Sequence, residues 1–155
     1  MAIAAGVAIS GCANTDDNGF VGSIDLGSDV VPPEVILDEE TFICVIQPEV
    51  LTRYSCATGM SGESGGCHNS RSALRLVDAP EPDYPLCNAE NQVIGPVPDS
   101  YMRNFEAVRF AVQADPESSP LYLRPIGRAA HPRVIFPAAD PAAELIASWI
   151  AQGTQ

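Results

Sequence analysis

The sequence predicts a mainly α-helical domain with long irregular connections, on three observations. Helix-start signals recur at Asp99-Ser100, Asp115-Pro116 and Asp140-Pro141. A short acceptor side chain satisfies the open N–H groups of a first turn, and proline fits that turn because it has no donor to leave unpaired. Apolar residues follow these starts at steps of three and four, the period of one helix face. Between them lie stretches such as 70–98, whose prolines and acidic residues oppose long regular structure and suit a surface loop. With 155 residues, 46% of them hydrophobic, the chain closes one core, and a second domain is not expected.

The first stretch, MAIAAGVAISGC, is a run of small and apolar residues ending at Cys12. It resembles a bacterial lipoprotein signal, in which the acceptor cysteine directly follows a small residue. The run is too short to cross a bilayer as a helix. The basic residues expected ahead of a secretory core do not precede it, which points to a start further upstream. Against that stands a buried N-terminal strand or helix, for which the next segment offers little apolar surface. That segment, 13–40, carries eight acidic residues, glycine and serine breaks and the Pro32-Pro33 pair. It reads as a tether with at most a short strand around Val35–Leu37. The expected organisation is a signal-like segment over 1–11, an acidic flexible tether over 12–40, and a folded domain over 41–155.

Within the domain, Pro48 suits the first turn of a helix running to about Tyr54, with Val50, Leu51 and Tyr54 on one face, so a helix delivers Cys56. Tyr101, Phe105, Val108 and Val112 form the stripe of a helix capped by Asp99 or Ser100. Asp115 and Pro116 open a short helix. Asp140 caps and Pro141 starts a last one, whose Leu145, Ile146, Trp149 and Ile150 form the buried face and which Gly153 ends.

The formal charge is −12, with no lysine and eight arginines. A polyphosphate or anionic-lipid surface needs clustered cations, so nucleic acid is excluded and the membrane is reached only through a lipid anchor. Any docking partner should be basic. An exported chain makes disulfides plausible. Setting Cys12 aside as the lipid acceptor leaves Cys44, Cys56, Cys67 and Cys87, which permit three pairings.

Cys56 and the Cys67-His68 pair carry the chemistry. A cysteine followed at once by histidine, with a second cysteine upstream, is how a chain holds a covalent haem, although the usual spacer is two residues and here it is ten. The spacer, ATGMSGESGG, has four glycines and three small polar residues and can bulge outward while the thiols stay close. If haem claims Cys56 and Cys67, then Cys44 and Cys87 remain as one disulfide. A Cys56–Cys67 disulfide uses every cysteine equally well, so counting leaves both open.

The order Phe42, Pro48, Leu51, Cys56, Cys67-His68, Leu74-Arg75-Leu76, DPESSPLYLRPIG, His131 and LIASWIAQG is similar to that of the small cytochrome c-like domains of exported planctomycete and myxobacterial proteins. The resemblance covers roughly 41–153 and implies a class I cytochrome c-like helical fold with one covalently attached haem c. It places a helix ending at the first haem cysteine and a C-terminal helix crossing it with an aromatic residue, here Trp149. The loop that gives many such domains a methionine ligand has no counterpart.

Under that resemblance Cys56 and Cys67 bind haem, and His68 is one axial ligand of the iron. His131 is the only other histidine and is held out of a helix by Pro132, so it is the expected second ligand. Met60, inside the spacer, and Met102, early in a helix, are its rivals. Arg124 and Arg128 suit haem propionates or ordinary surface carboxylates. No serine–histidine–acid set and no zinc spacing is present. The expected function is an exported, periplasmic or cell-surface, lipid-anchored electron carrier or electron-transfer subunit that makes no bonds in a substrate. Redox proteins with a basic docking surface would be its partners. The alternative is a haem-free, disulfide-stapled lipoprotein of the same fold that binds a partner or stabilises a complex.

Overall fold

Helix α1 starts nine residues before Pro48, at Glu39. Asp38 ends in extended backbone and its Oδ1 accepts from the Thr41 amide at 2.6 Å, so the cap lies there. The helix is α-helical over Glu39–Thr41 and continues in the wider π pattern over Phe42–Thr52. In the interior of an α-helix, proline removes one hydrogen bond and crowds the preceding turn. The π pattern spaces donor and acceptor by five residues around it, as in Arg53 N to Pro48 O (3.1 Å) and Cys56 N to Leu51 O (2.9 Å). Pro48 is therefore an interior residue and not a first-turn residue. The buried Phe42, Ile43 and Ile46 explain why the helix extends so far upstream.

This computed structural model describes residues 35–58, 67–68 and 73–153. The expectations for 1–34, including the lipid acceptor Cys12, and for Met60 lie outside the described residues.

The other helices are α2 (Asp99–Arg109), a 3-10 turn (Pro116–Ser118), α3 (Pro120–Leu123) and α4 (Pro141–Gln152). Among the described residues there is no strand, only an isolated bridge between Cys87 and Val93. The residue before α2 is Pro98, and Asp99 is its first helical residue, with no capping bond from its side chain. Tyr101, Phe105 and Val108 are buried as expected, whereas Val112 lies beyond the end of the helix. Asp115 accepts from Glu117 N at 3.0 Å, and Asp140 from Ala142 N at 2.9 Å, so both Asp-Pro starts are real caps.

Helices α1, α2 and α4 meet at Phe42, whose ring centre lies 5.1 Å from Phe105 and 5.6 Å from Trp149. Trp149 is buried and donates Nε1–H to the Asp38 carbonyl at 2.8 Å, satisfying the indole donor. At the end of α4 the chain passes so close to residue 36 that a Cβ on Gly153 would sit 2.7 Å from the Ile36 carbonyl oxygen. That contact requires glycine.

The irregular stretch after His68 is not merely superficial. Leu76, Ala79 and Leu86 enter the core, and the Cys44–Cys87 disulfide ties the stretch to α1. A buried polar chain fixes it further. Asn104 on α2 accepts from Val77 N at 2.8 Å and donates to Val77 O at 3.0 Å and to Gln47 Oε1 at 3.0 Å. Gln47 donates to Thr52 Oγ1, which donates to Ala79 O, both at 3.0 Å.

Candidate functional site

Helix α1 leads directly into the site. The turn that follows it passes Tyr54 and Ser55 and presents Cys56, whose carbonyl accepts from the His68 amide at 3.2 Å. The same amide lies 3.3 Å from the Ala57 carbonyl, so the two ends of the cysteine spacer are held together by backbone contacts. Most of the spacer lies outside the described residues. Past His68, Leu76 N donates to His68 O at 3.0 Å, which sets the start of the irregular stretch beside the site.

His131 arrives from the opposite end of the sequence. Its loop turns at Gly127, which has φ +77° and whose Cβ position would lie 2.6 Å from Val134 Cγ2, so no other residue fits that turn without displacing Val134. The loop is closed by Ile135 N donating to Pro125 O at 2.8 Å. The His68 and His131 rings then face one another with centres 6.0 Å apart and planes inclined by 26°.

Each imidazole turns its Nδ1 to a backbone carbonyl. Nδ1 of His68 lies 3.3 Å from the Leu74 carbonyl, and Nδ1 of His131 lies 2.5 Å from the Arg133 carbonyl. A carbonyl only accepts, so each Nδ1 carries the proton and each lone pair is on Nε2, the tautomer that suits metal ligation. Burial lowers the His68 pKa below its ordinary value, against an opposing rise from the Leu74 bond and with smaller lowering by the nearby His131 and Arg124. The neutral ring is therefore favoured at neutral pH.

Cys56 and Cys67 are free thiols in the structure, whereas Cys44 and Cys87 are bonded, with Cα atoms 5.8 Å apart. Burial, with a smaller contribution from Cys67, pushes the Cys56 thiol up to about 12, against a lowering by Arg133. Arg133 Nη2 lies 3.9 Å from Cys67 Sγ. Arg133 is a site residue that the sequence did not mark, since its contact bridges 66 positions. Arg128 pairs with Glu117 at 2.8 Å, an ordinary surface carboxylate. Met102 packs on the core from α2.

Among the described residues, no three His, Cys, Asp or Glu side chains converge as a site for a bare metal ion. Two imidazoles suffice for a metal whose equatorial positions a macrocycle already fills. Imidazoles bonded in line to one metal at about 2 Å each have ring centres roughly 6 Å apart; the 6.0 Å between these centres equals that length, and in-line ligation further requires the two Nε2 atoms to be turned toward each other. Two imidazoles, with two thiols beside one of them, are the residue types that a covalently attached haem uses. No family profile, no characterised protein and no solved structure matches this chain.

Proposed function

We propose that this protein is a monohaem c-type electron carrier or electron-transfer subunit, exported and held at a membrane by a lipid on Cys12. One observation carries the reading: the His68 and His131 rings stand 6.0 Å apart beside Cys56 and Cys67, each with its Nδ1 turned to a backbone carbonyl. Haem, when bound, supplies reversible one-electron oxidation and reduction. Cys56 and Cys67 would supply the two thiols that hold it covalently. His68 and His131 would supply the imidazoles that hold its iron, and their Nδ1 bonds to the Leu74 and Arg133 carbonyls would keep each ring in the tautomer that ligates through Nε2. Redox partner proteins with a basic docking surface complete the function, in keeping with the charge of −12.

Protein made with a c-type maturation system should be red and should keep its haem through acid-acetone extraction, because thioether bonds survive denaturation. A colourless product with Cys56 joined to Cys67 by mass spectrometry overturns the proposal and leaves the disulfide-stapled lipoprotein. His131→Ala should keep the covalent haem, shift the spectrum toward high spin and admit carbon monoxide. An unchanged low-spin spectrum would remove His131 from the ligand set. The two-imidazole centre should also sit at a lower potential than a methionine–histidine one.

A further inference from the structure

Two segments far apart in sequence carry the two sides of the site, and one side chain joins them. Tyr54, two positions before Cys56, donates its hydroxyl to Asp140 Oδ1 at 2.9 Å. Its ring meets Phe136 edge-on, with centres 4.9 Å apart and planes at 61°. Phe136 is buried and follows His131 in the same loop. Asp140 is fixed from the other direction, because the same Oδ1 caps α4 through Ala142 N at 2.9 Å.

We propose that Tyr54 is a positioning residue that sets the separation of His68 and His131, acting as a latch between the end of α1 and the His131 loop. The inference rests on the haem reading for its consequence, though not for its geometry. On one side, Ser55 follows at φ +50°, a conformation that a non-glycine residue adopts only where its neighbours are fixed. The Cys56 amide bond to Leu51 O at 2.9 Å fixes one neighbour, and the Tyr54 latch fixes the other. Cys56 in turn holds the His68 amide, so the orientation of Tyr54 reaches the first imidazole. On the other side, Phe136 and Asp140 anchor the loop that presents the second.

A phenol donating to a carboxylate is a charge-assisted bond, stronger than one between neutral partners. The interaction with Asp140, aided by burial, raises the Tyr54 pKa, so the donor keeps its proton at neutral pH. Preorganising two ligands from both segments reduces the fraction of time one of them swings away. Tyr54 touches neither ring and works through its neighbours.

The test uses the full chain with covalent haem. Tyr54→Phe deletes only the hydroxyl and keeps the edge contact with Phe136. Helical circular dichroism and haem content should be unchanged, while the high-spin fraction and carbon monoxide association rise about tenfold, the factor expected for one lost charge-assisted bond. Asp140→Asn, which keeps an acceptor oxygen and the cap but removes the charge, should fall between the parent protein and Tyr54→Phe, and Asp140→Ala should follow Tyr54→Phe. A Tyr54→Phe protein that melts earlier but binds carbon monoxide at the parent rate overturns the proposal, because the tie is then structural only. A colourless protein defeats the haem reading alone. The latch is then read from the ring-proton nuclear Overhauser effect between the two histidines, which Tyr54→Phe should weaken and which, if unchanged, overturns it.

Discussion

Phe42, Phe105 and Trp149 meet ring on ring in the interior, and His68 and His131 meet ring on ring between two irregular segments, yet different forces hold the two clusters. The first is held by apolar area removed from water, shared among three helices, and a single weakened contact leaves many others. The second is held by a handful of directed bonds, each ending on a backbone carbonyl or on a side chain from a distant segment. Packing of the first kind yields stability with little need for one fixed angle. Bonding of the second kind yields a fixed separation with little stability. The cysteines divide in the same way, with Cys44–Cys87 joined across the packed side and Cys56 and Cys67 kept as thiols beside the rings.

The largest expected effect comes from the packed side. Trp149→Ala removes the centre of the α1–α4 contact and leaves a cavity, which should cost about 4 kcal/mol in denaturant unfolding. A loss well under half that size would show that the two clusters do not differ in kind. Removing the disulfide with Cys44→Ser and Cys87→Ser together should cost about 3 kcal/mol, since the bond closes a long loop. That loop spans 43 positions and contains Cys56, Cys67 and His68. Where haem is bound as proposed, the visible spectrum of the double variant should match that of the parent protein, because the site has its own bonds.

Asn104→Ala should cost about 2 kcal/mol, because the buried Gln47 and the Val77 backbone lose their partner together. Its effect should also spread to the irregular stretch, seen as faster amide exchange at Val77. The smallest effect is a pH dependence in protein prepared without haem. The Cys56 thiol is raised to about 12 in the folded chain, mainly by burial. Its contribution to stability is therefore complete below the ordinary thiol range, near 9, and is lost as the pH climbs from there toward 12. Cys56→Ala should remove that part of the alkaline slope, and a slope unchanged by the substitution would remove burial as its cause.

The helical elements were readable because their causes are local. Asp115 and Asp140 cap the turns that follow them, and Ile146, Trp149 and Ile150 fall on one face by spacing alone. The start of α1 was misread for the same reason. Pro48 is a strong local signal for a first turn, and it was overridden by the Asp38 cap and by Phe42, Ile43 and Ile46, whose burial depends on other helices. Gln47 and Asn104 gave no sequence signal at all, since two polar residues 57 positions apart reveal a shared buried bond only once the chain is folded.

By itself the sequence determined the mainly helical character of the domain and the chemistry available to it, two histidines and a cysteine pair beside one of them, because residue type and short-range period are properties of the chain. Tertiary structure alone decided which residues meet. It joined Cys44 to Cys87, brought His131 across 63 positions to within 6.0 Å of His68, and tied Tyr54 to Asp140 and Phe136. Such pairings have no local cause. Loop closure carries an entropic cost that only the packing of the whole core can offset, and the partner that each residue finds is fixed by where that core places the ends of its helices.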